Sequence, residues 1–177
     1  MILPAPIFGP AHLPALVLRA AVACAVLLLV FASSSAGGPA GSPESRLLER
    51  ALKLLPERPD VPIRFIDPEL APDADAIRRL DAFLVREPDG TIRQVIYLNR
   101  RSVPIEKALA GKALDIAIVA AIIRHEMEHL RGGGETQARQ AERDFFQHLV
   151  FVGHVSANDG LAYLADLDQL YHLREGR

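Results

Sequence analysis

The segment Ala113–Arg131, with the sequence ALDIAIVAAIIRHEMEHLR, constrains the fold of this chain more than any other feature. It is almost entirely apolar as far as Arg124. A helix that is apolar on every side has to be covered on every side, so the segment predicts a buried helix rather than a surface one. Three glycines, residues 132–134, follow it and predict where it ends. We therefore expect this helix at the centre of the fold.

The composition is that of one globular domain with a short appendage. The chain has 177 residues, of which 50% are hydrophobic and 24% charged, so a packed core is expected. Its formal net charge is −2 and it has no Trp, which argues against nucleic acid as a partner. Cys24 is the single cysteine, which excludes an intramolecular disulfide and a cysteine-based zinc cluster.

The first 36 residues have the pattern of a signal peptide or an N-terminal anchor. Arg19 precedes an uncharged apolar stretch, Ala20–Ala32, and small residues up to Ala36 follow. Cleavage near Ala36 would give a secreted or periplasmic protein. If the segment is retained, residues 13–32 would tether the protein to a membrane. Residues 37–44 are rich in Gly, Pro and Ser and are interpreted as a linker, which leaves residues 45–177 as the domain.

The first half of the domain mixes helical and strand patterns. Leucines and alanines at helical spacing predict a helix over Ser45–Leu55. Val61–Ile66 is a possible short strand, and Pro62 would confine it to the edge of a sheet. Ala74–Phe83 could form another helix, although its last residues could equally begin a strand.

A strong turn signal separates the next two segments. Pro88-Asp89-Gly90 predicts a turn, and Thr91–Leu98 after it predicts a strand, so residues 83–98 are interpreted as a hairpin. Beyond the buried helix, the pattern predicts two more helices, over Glu135–Val150 and Asn158–Leu173. The order predicts an α+β fold in which a small sheet, made of the hairpin and a short strand, packs on a C-terminal helical layer.

The buried helix carries the pattern H-E-x-x-H, formed by His125, Glu126 and His129. Two histidines four residues apart lie one turn apart on the same side of a helix, so their imidazoles can share one metal ion. Glu126 projects beside that ion, where a carboxylate can accept and return a proton. The pattern predicts a Zn²⁺ site with Glu126 as the catalytic residue. Glu128 faces away and is expected to pair with Lys or Arg.

A catalytic zinc ion takes three protein ligands and leaves one position open. Glu135 and Glu142 are both candidates for the third ligand. They are seven residues apart, so they share a helix face but lie about 10 Å apart along it. Only one of them can therefore reach the ion while the helix stays intact. Glu135, beside the glycines, has the shorter reach and is our predicted ligand, with Glu142 as the alternative.

The motif resembles that of the zincin metallopeptidases, and the resemblance covers residues 91–150. The spacing H-E-x-x-H-x-x-G-x-x-E, with Gly132 and Glu135, resembles the metzincin pattern, with Glu in place of the third His. The methionine turn of metzincins is absent, since the methionines are Met1 and Met127. The acidic ligand resembles that of gluzincins, which take a Glu from a downstream helix.

The resemblance implies hydrolysis of a peptide bond, with a protein or peptide as substrate and Glu126 as general base. It also implies that Thr91–Leu98 is an edge strand that lines the substrate cleft. Side chains near the C-terminus, namely Tyr163, Tyr171, His154 and His172, could polarise the substrate carbonyl. The expected function is that of an exported zinc-dependent peptide-bond hydrolase. The alternative is a non-catalytic metal-binding or partner-binding domain on a zincin scaffold.

Overall fold

The computed structural model describes residues 41–70 and 74–175, with side chains as far as residue 169. The predicted signal peptide or anchor over residues 1–36, including the possible tether, lies outside the described residues, as do residues 37–40 of the predicted linker. Across the described ranges, no helix is both long enough and apolar enough to cross a membrane.

The first described helix, α1, covers Pro43–Leu54 and begins two residues before the predicted start. The Ser42 side chain caps it by accepting a hydrogen bond from the backbone N–H of Ser45 at 3.1 Å. The ring of Pro43 fixes its backbone φ angle at a value that suits the first turn of a helix. These two effects extend the helix into the last residues of the predicted linker.

Three short strands form one mixed sheet. They are β1 (Ile63–Ile66), β2 (Ala82–Phe83) and β3 (Ile96–Asn99), and their order in the sheet is β1-β3-β2. β1 runs parallel to β3, whereas β2 runs antiparallel to it. The predicted edge position of β1 and the predicted α+β class are both confirmed.

The prediction that Thr91–Leu98 forms an edge strand is wrong. The regular strand in this region is β3, which begins only at Ile96 and lies in the middle of the sheet because β1 and β2 flank it. Before Ile96 the chain bends, and the backbone N–H of Val95 donates to the carbonyl of Arg93 at 2.8 Å. The free edge next to the motif helix therefore belongs to β2.

The segment over Ala74–Phe83 is divided between a helix and a strand. After a short 3₁₀ helix at Pro68–Leu70, helix α2 covers only Ala74–Ile77, and β2 begins at Ala82. The buried side chain of Asn99 donates to the carbonyls of Ile77 at 3.0 Å and Leu80 at 2.8 Å. These two bonds stabilise the non-helical turn that ends α2 and directs the chain into the sheet.

Four helices follow the sheet. They are α3 (Val103–Leu109), α4 (Ala113–Leu130), α5 (Glu135–Phe151) and α6 (Ala157–Glu175). The last three confirm the predicted helices to within a few residues. α3 was not predicted, although Ser102 followed by a proline in the first turn is a known signal for the start of a helix.

Helix α4 is the centre of the main core, as predicted. Its apolar half is buried almost completely, and Val119, Ala120, Ala121 and Ile123 are each 0% exposed. α1, α3, α5 and the sheet all pack against it. Full burial of one isoleucine side chain contributes about 1.5–3 kcal/mol to folding, so this half of α4 anchors the domain. The C-terminal half of α4, which carries the motif, is continuous with this buried half and is held in position by it.

Candidate metal centre

The two histidines of the motif approach each other closely at the C-terminal end of α4. Nε2 of His125 lies 3.2 Å from Nε2 of His129, and the rings meet edge to face. Both side chains are largely buried, with exposed fractions of 15% and 23%. The predicted pairing of these imidazoles is therefore present in the folded chain.

A tight glycine turn brings Glu135 back to the histidines. At Gly133, a Cβ atom would lie 2.8 Å from Cγ of Glu128 and 2.9 Å from the Glu128 carbonyl oxygen, so only glycine allows the chain to reverse here. Oε2 of Glu135 then lies 3.4 Å from Nε2 of His129 and 3.9 Å from Nε2 of His125. The ligand atoms of these three residues lie within 4.8 Å of one another.

Hydrogen bonds on the far side of each ring determine where the ring protons lie. Nδ1 of His129 is 3.0 Å from the carbonyl oxygen of Gly133, and Nδ1 of His125 is 2.9 Å from Oε2 of Glu142. A carbonyl or carboxylate oxygen only accepts hydrogen bonds, so each Nδ1 carries a proton and donates it. In the neutral rings, both Nε2 atoms consequently point unprotonated lone pairs at each other.

This donor set suits a metal cation. Two nitrogen lone pairs and a carboxylate oxygen at these distances repel one another unless a proton or a metal cation lies between them. Ligand atoms about 2.0–2.2 Å from a tetrahedral zinc ion are about 3.3–3.5 Å apart. Two of the three separations, 3.2 and 3.4 Å, are close to that value. His125, His129 and Glu135 could therefore hold a metal ion.

Glu142, the alternative third ligand, lies on the opposite side of the His125 ring. Its Oε2 accepts from Nδ1 of His125, as described above, and its Oε1 accepts from the hydroxyl of Tyr163 at 2.9 Å. Glu142 is buried, with 5% exposed, and does not belong to the cluster of possible ligands. Of the two candidates, the structure brings Glu135 to the paired Nε2 atoms and places Glu142 behind them.

Charges around the cluster favour a carboxylate at Glu135. Partial burial tends to raise the pKa of Glu135, but Nε of Arg139 donates to its Oε1 at 2.9 Å, and this bond with the two histidines lowers the pKa overall. Burial also opposes a charge on His125, yet its hydrogen bond to Glu142 and the charge of Glu142 raise the His125 pKa. The sequence spacing of four between Glu135 and Arg139 could have predicted their contact.

Glu126 has a different environment from the possible ligands. Its exposed fraction is 7%, and burial raises its pKa to about 7, although the nearby histidines act in the opposite direction. Glu126 nevertheless lines the cleft that contains the histidine pair. The structure therefore places the predicted catalytic carboxylate beside the cluster and in contact with the cleft.

The cleft has a volume of about 590 Å³ and is bounded by a floor and two sides. The motif helix and the glycine turn provide its floor, β2 and the residues on either side of it provide one wall, and Leu167 of α6 closes the other side. Its apolar lining consists of Leu80, Ala82, Phe83, Leu84, Ile92, Ile122 and Leu167, and its charged lining includes Asp81 and Arg86.

The predicted carbonyl-polarising residues do not line this cleft where their side chains are described. Tyr163 is directed to Glu142, and His154 is exposed at the turn between α5 and α6. The side chains of Tyr171 and His172 lie outside the described residues. The hydrogen bond from Tyr163 to Glu142 was not predicted, because sequence spacing gives no information on which residues of α6 contact which residues of α5.

Comparison with protein-family models, with curated proteins and with solved structures found no match to this chain. The likeness to zincins therefore rests on the H-E-x-x-H motif and on the His125, His129 and Glu135 cluster described here.

Proposed function

We propose that this protein is an exported zinc-dependent hydrolase of peptide bonds. One observation carries the proposal: the Nε2 atoms of two histidines and a carboxylate oxygen converge beside a buried glutamate on the floor of an open cleft. This is the donor set of a catalytic zinc site with two His and one Glu. Three protein ligands leave a fourth position open on the cleft side.

The residues of the site have separate roles in the proposed reaction. His125, His129 and Glu135 would hold the zinc ion. When bound, the ion supplies a Lewis acid that polarises a carbonyl and lowers the pKa of a coordinated water. Glu126 accepts a proton from the attacking water and delivers it to the leaving amine. Its burial at the cleft floor holds the carboxylate in place for both transfers.

No strand of the described sheet pairs with the outer edge of β2, and this supports binding of an extended peptide there. Residues of an antiparallel pair alternate between facing the neighbouring strand and facing away from it. The carbonyls of Asp81 and Val85 accept from the backbone N–H groups of Asn99 and Arg93, both at 2.8 Å. The backbone groups of residues 81 and 85 therefore face the neighbouring segment of the sheet. Those of residues 82 and 84 alternate with them and face away from it, and both residues line the cleft. A substrate backbone could pair with them there.

One observation favours the alternative function, a non-catalytic metal-binding or partner-binding domain. Neither Tyr163 nor His154, the described candidates for polarising a substrate carbonyl, lines the cleft. These two residues would then take no part in stabilising charge on the substrate carbonyl. The two functions differ in a single measurable property, which is turnover of a peptide by the metal-loaded protein.

The test combines metal content with peptide cleavage. Purified protein is stripped with a chelator, reloaded with zinc, and incubated with a mixture of unstructured peptides whose products are identified by mass spectrometry. We expect about one zinc ion per chain, and cleavage that is lost on chelation and restored by zinc. Glu135→Ala should lose the metal, whereas Glu106→Ala, an exposed acid on α3, should retain it.

Each contrary result has a distinct meaning. Stoichiometric zinc without cleavage of any peptide would favour the non-catalytic alternative. Failure of the unaltered protein to bind zinc would contradict both the proposed metal site and the proposed hydrolase function. Zinc binding that survives Glu135→Ala would show that the third ligand lies elsewhere.

Export is tested separately, on the chain produced in cells. We expect the protein in a secreted or periplasmic fraction to begin just after Ala36, because the small residues there suit signal cleavage. N-terminal sequencing of the mature protein measures this directly. An intact N-terminus in a membrane fraction would instead support the retained anchor over residues 13–32.

A further inference from the structure

We propose that Tyr163 is a positioning residue that acts through Glu142 to orient His125, and thereby strengthens metal binding. This inference rests on the proposed metal site. It assigns a function to a contact on the Nδ1 side of the His125 ring, made by Glu142, which also lines the cleft. It also connects the C-terminal helix α6 with the motif helix α4, which are far apart in the sequence.

Three side chains from three helices form a continuous chain of hydrogen bonds. The hydroxyl of Tyr163 on α6 donates to Oε1 of Glu142 on α5 at 2.9 Å. The other oxygen of Glu142 accepts from Nδ1 of His125 on α4, also at 2.9 Å. Because each carboxylate oxygen has its own donor, the carboxylate cannot rotate without losing a bond. The His125 ring is therefore held with Nε2 directed at the metal position.

The Tyr163 ring is itself fixed by packing. It lies against Phe146, which is 0% exposed, with the ring centroids 4.2 Å apart. One turn earlier, α6 approaches α5 so closely that a Cβ atom at Gly160 would lie 2.3 Å from Cγ2 of Val150. The close packing of α6 on α5 thus determines the position of the hydroxyl.

The two histidines are oriented by different means. Nδ1 of His129 donates to the carbonyl of Gly133, which belongs to the turn directly after its own helix. His125 depends instead on side chains from α5 and α6. A ligand whose other ring nitrogen is held by a carboxylate is better oriented and more basic, and loss of such a partner costs about 10–100-fold in metal affinity. Tyr163, one contact further from the ion, should have a smaller effect.

The experiment measures zinc affinity of the purified full chain by competition with a chromophoric chelator. We expect Tyr163→Phe, which keeps the ring and removes the hydroxyl, to weaken zinc binding about 3–10-fold, less than direct loss of the carboxylate partner. The matched control is Tyr97→Phe, which removes the hydroxyl of a 1% exposed tyrosine in the sheet. The control should bind zinc within about twofold of the unaltered protein, since Tyr97 contacts Arg93 rather than the site.

A double-mutant cycle separates positioning from general packing. If Tyr163 acts only through Glu142, then adding Tyr163→Phe to Glu142→Leu, which removes both acceptor oxygens, should cause little further loss of affinity. Imidazole ¹⁵N resonances should change for His125 and stay constant for His129 in Tyr163→Phe. Additive losses in the cycle, or an affinity for Tyr163→Phe equal to that of the Tyr97→Phe control, would overturn the inference.

Failure of the inference is distinguishable from failure of the proposed function. If the unaltered protein binds zinc and cleaves peptides while Tyr163→Phe binds zinc equally well, only the positioning role is wrong. If the unaltered protein binds no zinc, the metal site itself is wrong. Should Tyr163→Phe fail to fold, Glu142→Leu still tests the link through which Tyr163 is proposed to act. Zinc affinity and His125 resonances equal to those of the unaltered protein would then overturn the inference.

Discussion

The last turns of α4 have two faces, and each carries a glutamate. The two glutamates differ in their burial and in the side chains around them. The face toward the cleft presents His125, Glu126 and His129, and the opposite face presents Arg124 and Glu128. Glu126 is buried at 7% exposed, and its pKa is raised to about 7 by that burial. Glu128, two residues later, has Arg124 at 3.3 Å and Arg131 at 3.6 Å.

The difference between these glutamates lies in their partners rather than in their chemistry. Glu128 belongs to a surface network, in which Arg131 also pairs with Glu57 after α1. The expected pairing of Glu128 with basic residues is confirmed. Glu126 faces a cleft in which two histidines offer lone pairs and no arginine contact is described for it. One face thus forms ion pairs at the surface, and the other brings together side chains that could hold a metal ion.

The largest expected effect concerns these two glutamates. Under the proposed function, Glu126→Gln should lower kcat for peptide cleavage by about 10²–10⁴-fold, because it removes the proton acceptor while leaving the ligands in place. Glu128→Gln should leave kcat within about twofold, because Glu128 lies outside the cleft. Steady-state kinetics on the zinc-loaded variants measures both. Equal losses in the two variants would contradict the functional difference between the faces.

Replacement of a ligand should affect metal binding more than replacement of an orienting residue. His125→Ala is expected to weaken zinc affinity by more than about 100-fold, since loss of a residue that only orients a ligand already costs about 10–100-fold. His148→Ala, which removes an exposed histidine of α5, is the matched control and should bind zinc normally. Chelator competition gives both affinities. Zinc binding by His125→Ala at normal affinity would mean that the site lies elsewhere.

Metal binding should stabilise the fold because the cluster joins α4 to the start of α5. At a free zinc concentration 100 times the Kd, the free energy of unfolding should rise by about 2.7 kcal/mol. Differential scanning calorimetry with and without zinc detects this as a higher Tm. The same addition should leave the Tm of His125→Ala unchanged, and an equal rise in that variant would point to binding outside the proposed site.

The smallest expected effect is on the face opposite the cleft. Glu128→Gln removes a partner of Arg124 and Arg131 and should lower the free energy of unfolding by about 0–1 kcal/mol, because Arg131 and Glu128 are partly exposed and water screens their attraction. Urea denaturation of the metal-free protein measures the change. A loss of several kcal/mol would show that this network stabilises the domain as strongly as the buried half of α4.

Much of the fold could be predicted from periodicity and turn residues. The apolar run over Ala113–Ile123 indicated a central helix, and the glycines after it indicated the reversal into α5. The short segments were predicted less well. The split of Ala74–Phe83 depends on the Asn99 side chain, which is distant in sequence, and the central position of β3 depends on its pairing with β1.

The sequence by itself determined which side chains meet at the candidate site: two imidazoles at a spacing of one helical turn, a glutamate between them, and a further glutamate after a glycine reversal. These features are local, because helix geometry converts sequence spacing directly into position. Only the tertiary structure brought Glu135, rather than Glu142, to the paired Nε2 atoms, and placed the Tyr163 hydroxyl against Glu142. The physical reason is that both glutamates share one face of α5, so their roles depend on how α5 packs against α4 and α6, which sequence spacing does not encode.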